Sequence, residues 1–457
     1  MAELLVLILF VGAILGLLSG YPVALTLGGV AVLVALLGVT LGEVDMMLMG
    51  ALPGRLMNIM TNETLLAVPL FVFMGTVLER SKLAEELLVT MGQLFGRRRG
   101  GLGFAVLFVG AMLAASTGIV GATVVAMGLI SIPAMQRAKY KESLSCGLVC
   151  ASGTLAQLIP PSTVLILLGV MLQDANVQAK LRMGIFDGNP LTVTDLFAAA
   201  IVPGLMLVAL YTAYMLFMAL KNRENCPPLE MSDADRDSLM RKVMVAMVPP
   251  LVLIALVLGS ILSGIATATE SAALGGVGAM ALALCSGKFS KRTLGEAARA
   301  AMMISVMIYT MLIGATILAA VFRILGGEEM VASLLQVIPG GALGATLFVL
   351  GMMFLLGFLL DTFEIIFIVI PIFGTPLLML GVDPLWFGIA AALVLQTSYL
   401  TPPFGFAIFY LQGAVENLKL TTVYRGVIPF VAIQLFAGVL IWVWPGLVMW
   451  LPNLLNS

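Results

Sequence analysis

Apolar residues along this chain gather into stretches of about 17 to 25, the length a bilayer demands of a spanning helix. Such stretches cover 2–19, 22–41, 64–79, 196–220, 243–262, 269–286, 302–321 and 427–450, and two longer ones, 143–171 and 385–413, each contain a proline pair. Ten crossings are predicted, and the chain reads as an all-α polytopic membrane protein embedded in the lipid bilayer. Two further apolar regions, 100–136 and 340–380, divide into arms of about 15 to 18 residues around a polar or glycine-rich centre. The centres are Ser116-Thr117-Gly118 and Asp361-Thr362-Phe363-Glu364. An arm of about 15 residues reaches about 22 Å, short of the roughly 30 Å of hydrocarbon, so both regions are predicted to be re-entrant hairpins. Segments near 43–60, 83–96, 288–300 and 324–338 are amphipathic and too polar to span; they are predicted to lie flat at the interface.

The proline pairs stand in Leu158-Ile159-Pro160-Pro161-Ser162-Thr163 and Leu400-Thr401-Pro402-Pro403-Phe404-Gly405. Proline removes a backbone donor and clashes with the preceding turn, so each pair predicts a break in its helix. Hydrocarbon tolerates unpaired backbone only where it lines a protein-enclosed cavity, and broken helices at matching places in two halves point to the mid-membrane site of a secondary transporter. The halves do match: Leu18-Ser19-Gly20 and Leu27-Gly28-Gly29 reappear as Leu262-Ser263-Gly264 and Leu274-Gly275-Gly276, shifted by 244 and 247 positions, while the proline pairs are shifted by 242. Each half reads helix, helix, interfacial arm, helix, arm, hairpin, broken helix, helix, and the odd number of crossings requires the second half to be inverted. The repeats are placed at 1–242 and 243–457, with scaffold helices and arms at 2–60, 196–286 and 427–450.

Basic residues orient these elements. Arg97, Arg98 and Arg99 precede the first hairpin and Arg137, Lys139 and Lys141 follow it, which places both of its ends in the cytoplasm. The second hairpin is flanked by Pro339-Gly340 and Gly381-Val382-Asp383-Pro384 with no Lys or Arg close by, so its ends are predicted to be periplasmic and the two hairpins to point at each other. Lys221, Arg223, Arg236, Arg241 and Lys242 mark one cytoplasmic loop, and Lys288, Lys291, Arg292 and Arg299 another. Threading the crossings through these anchors puts both termini outside.

Composition narrows the chemistry. With 61% hydrophobic and 10% charged residues the chain is no soluble domain, and a net charge of −1 without a basic tract excludes nucleic acid as a partner. The absence of His removes the commonest proton relay and metal ligand, so any proton coupling would run through Asp or Glu. No cofactor is expected beyond a coupling ion. The four cysteines show no disulfide or zinc spacing, and 2–19 lacks the basic flank of a signal peptide, so it is expected to be retained as a first helix.

Binding chemistry must come from the tips and breaks. Ser116, Thr117, Gly118 and Thr123 at the first tip, Gly153, Thr154 and Pro160 at the first break, and Asp361, Thr362, Gln396, Thr397, Thr401 and Pro402 in the second half are the candidate ligands of a coupling cation. Hydroxyls and unwound carbonyls suit a hard monovalent cation, while half-helix N-termini offer positive dipole ends to an anion. Gln157, Ser162, Thr163, Glu364, Ser398, Tyr399 and Phe404 are the candidate substrate contacts. A single Ser or Thr more often bonds its own helix backbone, but a carboxylate at membrane depth is a functional candidate by default. Glu364 also has the spacing to cap the second arm.

Arg99-Gly100-Gly101-Leu102, the tip Ala115-Ser116-Thr117-Gly118, and Gly153-Thr154-Leu155 with Ile159-Pro160-Pro161-Ser162 resemble the large membrane subunit of TRAP (tripartite ATP-independent periplasmic) transporters. Thr61-Asn62-Glu63-Thr64 through Leu70 and Gly264-Ile265-Ala266-Thr267-Ala268-Thr269-Glu270 are similar to the same family, so the resemblance spans nearly the whole chain. It implies a sodium-coupled, elevator-type importer of organic acids in the bacterial inner membrane, which makes the coupling cation sodium. It also implies two partners, a small four-helix membrane subunit and a periplasmic substrate-binding protein. The first repeat begins at residue 2, so the small subunit is expected as a separate chain. Many carboxylate importers of the family carry a Ser-Gly-Ser type tip; Ser116-Thr117-Gly118-Ile119-Val120-Gly121 is closer to the branch labelled for chloroaromatic, mannitol or keto-acid uptake, and leaves carboxylate, keto acid and sulfonate open. A stand-alone elevator carrier of dicarboxylates or other anions would share the twin hairpins and need no binding protein. An intramembrane enzyme lacks a Ser/His or metal set, and a purely structural scaffold gives no reason for two symmetric breaks.

Overall fold

A computed structural model describes residues 1–81, 90–92, 99–186, 190–221, 223–228 and 236–455, and among these all regular structure is helical. Helices Ala2–Leu18, Val23–Thr40, Ala67–Arg80, Val193–Lys221, Arg236–Leu262 and Ala268–Cys285 fall on the apolar runs. Two expectations of extent are corrected. Residues 288–300 do not form a separate flat arm; from Lys291 they are the first turns of a 34-residue helix, Lys291–Ile324. The stretch from Glu296 to Ala301 is made of strong helix formers, so nothing stops propagation. Its counterpart in the first half is stopped by Asn62, whose side-chain oxygen accepts from the Thr64 and Leu65 amides at 2.9 and 3.3 Å and caps a new turn. Leu52–Met60 is consequently bent by 44° from the helix that follows. The run 427–450 is also divided, into Leu420–Val443 and Gly446–Leu455, because Pro445 holds Trp444 outside the helical region at φ −124°, ψ 79°. The arm expected at 324–338 is the helix Gly327–Val337, bent by 114° from the next helix. Most of the arm expected at 83–96, Arg97, Arg98 and part of the basic loop 221–242 lie outside the described residues.

The first hairpin consists of Gly101–Thr117 and Val120–Arg137, reversing at Gly118 with a φ of 62°, a left-handed value that glycine adopts without a Cβ penalty. The second consists of Gly341–Leu356 and Thr362–Met379. Both proline pairs interrupt their helices: Glu142–Thr154 gives way to Thr163–Arg182, and Pro384–Leu400 to Phe406–Ala414. Each hairpin tip lies against the break of its own half. The Thr163 hydroxyl donates to the Gly118 carbonyl at 2.7 Å, and the Thr362 amide donates to the Tyr399 hydroxyl at 3.0 Å. A turn seated midway along a spanning helix lies inside the bundle, as a re-entrant hairpin requires.

Packing sorts the helices into two groups. Val23–Thr40 runs along the 34-residue helix, and Ala67–Arg80 along Ala268–Cys285, which makes a frame with Ala2–Leu18 and Arg236–Leu262. The hairpins and broken helices make a second body. Val193–Lys221 and Leu420–Val443, expected by sequence in the scaffold, pack on this body instead. Leu420–Val443 crosses Glu142–Thr154 backbone to backbone: a Cβ on Gly426 would overlap the Ser143 carbonyl, and one on Gly147 the Gly426 carbonyl. Lipid tails are as apolar as side chains, so such close approach is what holds helices together there. Gly426→Val is therefore expected to cost about 1–3 kcal/mol and lower the thermal unfolding midpoint in detergent. Gly29→Val, where a side chain would meet open space, should leave the midpoint unchanged, and equal midpoints for both variants would contradict this account.

Candidate functional site

Where the two tips meet the frame there is a cavity of about 540 Å³. The body contributes Thr117, Gly118, Gln157, Asp361, Thr362, Tyr399 and Tyr410; the frame contributes Val72, Thr76, Glu79, Arg80 and Ile304. Gln157, from the first break, donates through Nε2 to the Thr362 hydroxyl of the second tip at 3.0 Å, so the two halves are joined at the cavity wall. Sequence alone had placed these groups 205 residues apart. Gly75 is what allows the frame so near: its Cβ would lie 2.5 Å from the Ser116 carbonyl oxygen and 2.6 Å from Thr117 Cα.

Local chemistry differs between the tips. At the first, Ser116 and Thr117 donate to the Leu113 carbonyl and Thr123 to that of Ile119, while the Thr117 and Thr123 hydroxyl oxygens are 2.7 Å apart. These are the back-bonds expected of helical hydroxyls, yet each oxygen keeps lone pairs able to accept. The helix starting at Val120 has no side-chain cap on its N-cap Ile119, and the helix starting at Thr163 has none on Ser162. Their first amides offer positive dipole ends to an anion. At the second tip Asp361 caps the helix that starts at Thr362, accepting from the Thr362 amide at 2.7 Å, and Glu364 Oε2 accepts from the Asp361 amide at 3.0 Å. This is a capping box, which assigns Glu364 a structural task. The Asp361 carboxylate also accepts from the Tyr399 hydroxyl, and no Lys or Arg pairs with it among the described residues. A carboxylate on a cavity wall without a basic partner is suited to a cation.

The other candidates lie around this centre. Ser162 donates to the Gln157 carbonyl at 3.0 Å and Ser398 to that of Phe354 at 2.9 Å, fastening each break to a neighbour. Thr397 and Thr401 donate to Leu393 and Thr397 carbonyls in their own helix, and Pro160 and Pro402 each lead a cis proline pair. Gly153 packs on Val124, where a Cβ would not fit. Phe404 is 51% exposed, with its ring tilted by 52° against that of Phe358 at 6.4 Å, outside the cavity wall. Thr154 is also turned away from the cavity, accepting from Gln434 Nε2 at 3.3 Å; the same nitrogen donates to the Tyr211 hydroxyl at 2.7 Å.

A family model described as "Tripartite ATP-independent periplasmic transporter, DctM component" matches residues 10–447. The chain belongs to the DctM family. Among relatives, it is 28% identical to the ectoine/5-hydroxyectoine TRAP transporter large permease protein UehC of Ruegeria pomeroyi over 396 residues, covering 86% of this chain and 87% of that one. It is also 28% identical to the C4-dicarboxylate TRAP transporter large permease protein DctM of Rhodobacter capsulatus over 447 residues, covering 96% and 97%. The fold resembles the crystal structure of the Alcanivorax borkumensis YdaH transporter, described as having an unusual topology, with a TM-score of 0.62, 16% identity and 87% of each chain covered.

As a DctM-family protein the chain is a multi-pass component of a membrane transporter and not an enzyme, and the match favours the tripartite role over the stand-alone carrier. Relatives of equal identity are named for different substrates, so identity does not choose among them. Sequence reasoning missed Gln434 and Tyr211, the buried polar pair behind the first break, and the frame residues Glu79 and Arg80. Gln434 was visible as a lone amide in an otherwise apolar run; Tyr211 gave no signal, since a tyrosine in a spanning helix is unremarkable until its partner is known.

Proposed function

We propose that this chain is the large permease subunit of a sodium-coupled importer that moves a small organic anion across the inner membrane. The observation that carries this reading is the meeting of both hairpin tips and both helix breaks at one cavity on the border between body and frame. Hydroxyl oxygens at the first tip and the Asp361 carboxylate at the second are the sodium ligands, and the uncapped amides at Val120 and Thr163 face the anion's charge. The hairpins and broken helices are the moving body; the frame stays fixed, and sliding of one on the other carries the site across. With the basic flanks in the cytoplasm, the end of the cavity at Glu79, Arg80 and Ala300 faces inward, and this arrangement is the inward-open one. A small membrane subunit covers part of the frame, and a periplasmic binding protein delivers the substrate, a carboxylate, keto acid or sulfonate.

The test is uptake into proteoliposomes containing this chain and its small subunit, after screening the cognate binding protein against C4-dicarboxylates, 2-keto acids and sulfonates. Accumulation is expected only with an inward sodium gradient and the binding protein together. Equal uptake by this chain alone, or on a proton gradient without sodium, would overturn the reading.

A further inference from the structure

A second cavity, of about 510 Å³, opens at the other end of the 34-residue helix. Ile304 lines the first cavity and Thr316 the second, twelve residues and about 18 Å further along the same helix. The 244-residue shift that relates Leu18 to Leu262 also relates Val72 to Thr316 and Glu79 to Arg323. The two cavities are therefore repeat-related places on the frame, and one carries an acid where the other carries a base. Arg323 is already engaged, by Glu328 at 2.8 Å and Asp174 at 3.2 Å. Arg55 is different: it lines the second cavity and has no carboxylate partner among the described residues. Asn58 follows it one turn on, and Asn62, just beyond the end of that helix, lines the same cavity. The Asn62 oxygen is spent on the Thr64 and Leu65 amides, which leaves its NH₂ to donate.

We propose that this outer cavity is a second anion site, in which Arg55 pairs with the carboxylate or sulfonate of a small soluble anion and Asn58 and Asn62 donate to it. The anion class rests on the transport reading above; the site itself does not. It lies between the frame and the body, with Val170, Asp174, Gln178 and Pro371 on the body's side, so an anion held there waits at the outer entrance while the central site is turned inward. A planar guanidinium with two neighbouring amides matches a carboxylate or sulfonate better than a cation or a neutral ligand.

The test measures local charge at a thiol and needs neither sodium nor a transported substrate. Thr316→Cys is made with Cys285→Ser, since the other three cysteines are buried, and the chain with its small subunit is placed in phosphatidylcholine nanodiscs. Its reaction rates with sulfonatoethyl methanethiosulfonate and with the trimethylammonium analogue are compared. The expected result is a preference for the anionic reagent that Arg55→Gln lowers by about five-fold, the effect of removing one unit charge several ångströms away in a wet cavity. Arg55→Lys should keep most of the preference, and millimolar succinate should slow anionic labelling only when Arg55 is present. Ile304→Cys in the first cavity, labelled at the same rate with and without Arg55→Gln, confirms that the variant is folded. A ratio that Arg55→Gln does not move overturns the proposal. So does loss of the Arg55 effect when phosphatidylglycerol replaces part of the lipid, since the site would then belong to a headgroup. If uptake proves independent of sodium while the ratio responds to Arg55, the transport reading fails and the anion site stands.

Discussion

Asp361→Asn is expected to raise the sodium concentration for half-maximal uptake by about ten-fold or more, with expression and assembly near normal. A unit charge about 4 Å from a cation near a protein surface is worth about 4 kcal/mol before desolvation, so a ten-fold loss is a modest share of the available attraction. The variant separates charge from structure because Asn is itself a good N-cap and can keep the bond from the Thr362 amide. Glu364→Gln should act more weakly, since that side chain serves the Asp361 amide. Tyr399→Phe removes the hydroxyl that joins the Asp361 carboxylate to the Thr362 amide and should fall between the two. Unchanged sodium dependence in Asp361→Asn, measured as initial uptake rate against sodium concentration, would reduce Asp361 to a helix cap.

The second large effect is expected at Gly75. Leucine there would drive a side chain into the backbone of Ser116 and Thr117, and a backbone neighbour cannot move aside by changing rotamer. Overpacking of this kind costs about 1–3 kcal/mol, and the whole cost falls on the arrangement in which the first tip lies against the frame. The population of that arrangement drops accordingly, and uptake by the Gly75→Leu complex should fall by about ten- to a hundred-fold while its melting behaviour stays close to that of the parent. Gly75→Ala should show a smaller loss of the same kind. Near-normal uptake by Gly75→Leu would mean that transport never requires this contact. A loss of folded protein would mean that the contact belongs to a fixed core and not to a sliding surface.

The sequence by itself determined the helices, the two breaks and the two hairpins, because each depends on residues close together in the chain. Proline removes a donor wherever it stands, Gly118 turns the chain through its own φ, and an apolar run of sufficient length must cross the bilayer. The shift of 242 to 247 residues was also legible, and the basic flanks gave the expectation that the two hairpins point at each other. The tertiary structure decided which groups meet and what each one does. Gln157 reaches Thr362 across the halves and Tyr399 binds the second tip, neither of which follows from spacing along one helix, while for Glu364 the structure selects the capping role that its spacing allowed. It also moved Val193–Lys221 and Leu420–Val443 from the expected scaffold to the body, and joined 288–300 to a spanning helix. The reason lies in the solvent. In water a helix declares its buried face by a stripe of apolar residues, whereas in lipid both the packed and the exposed faces are apolar, and the pattern cannot say which neighbour a face will meet. That choice is made by small residues such as Gly75, Gly147 and Gly426, which look alike in the sequence and differ only in what stands opposite them.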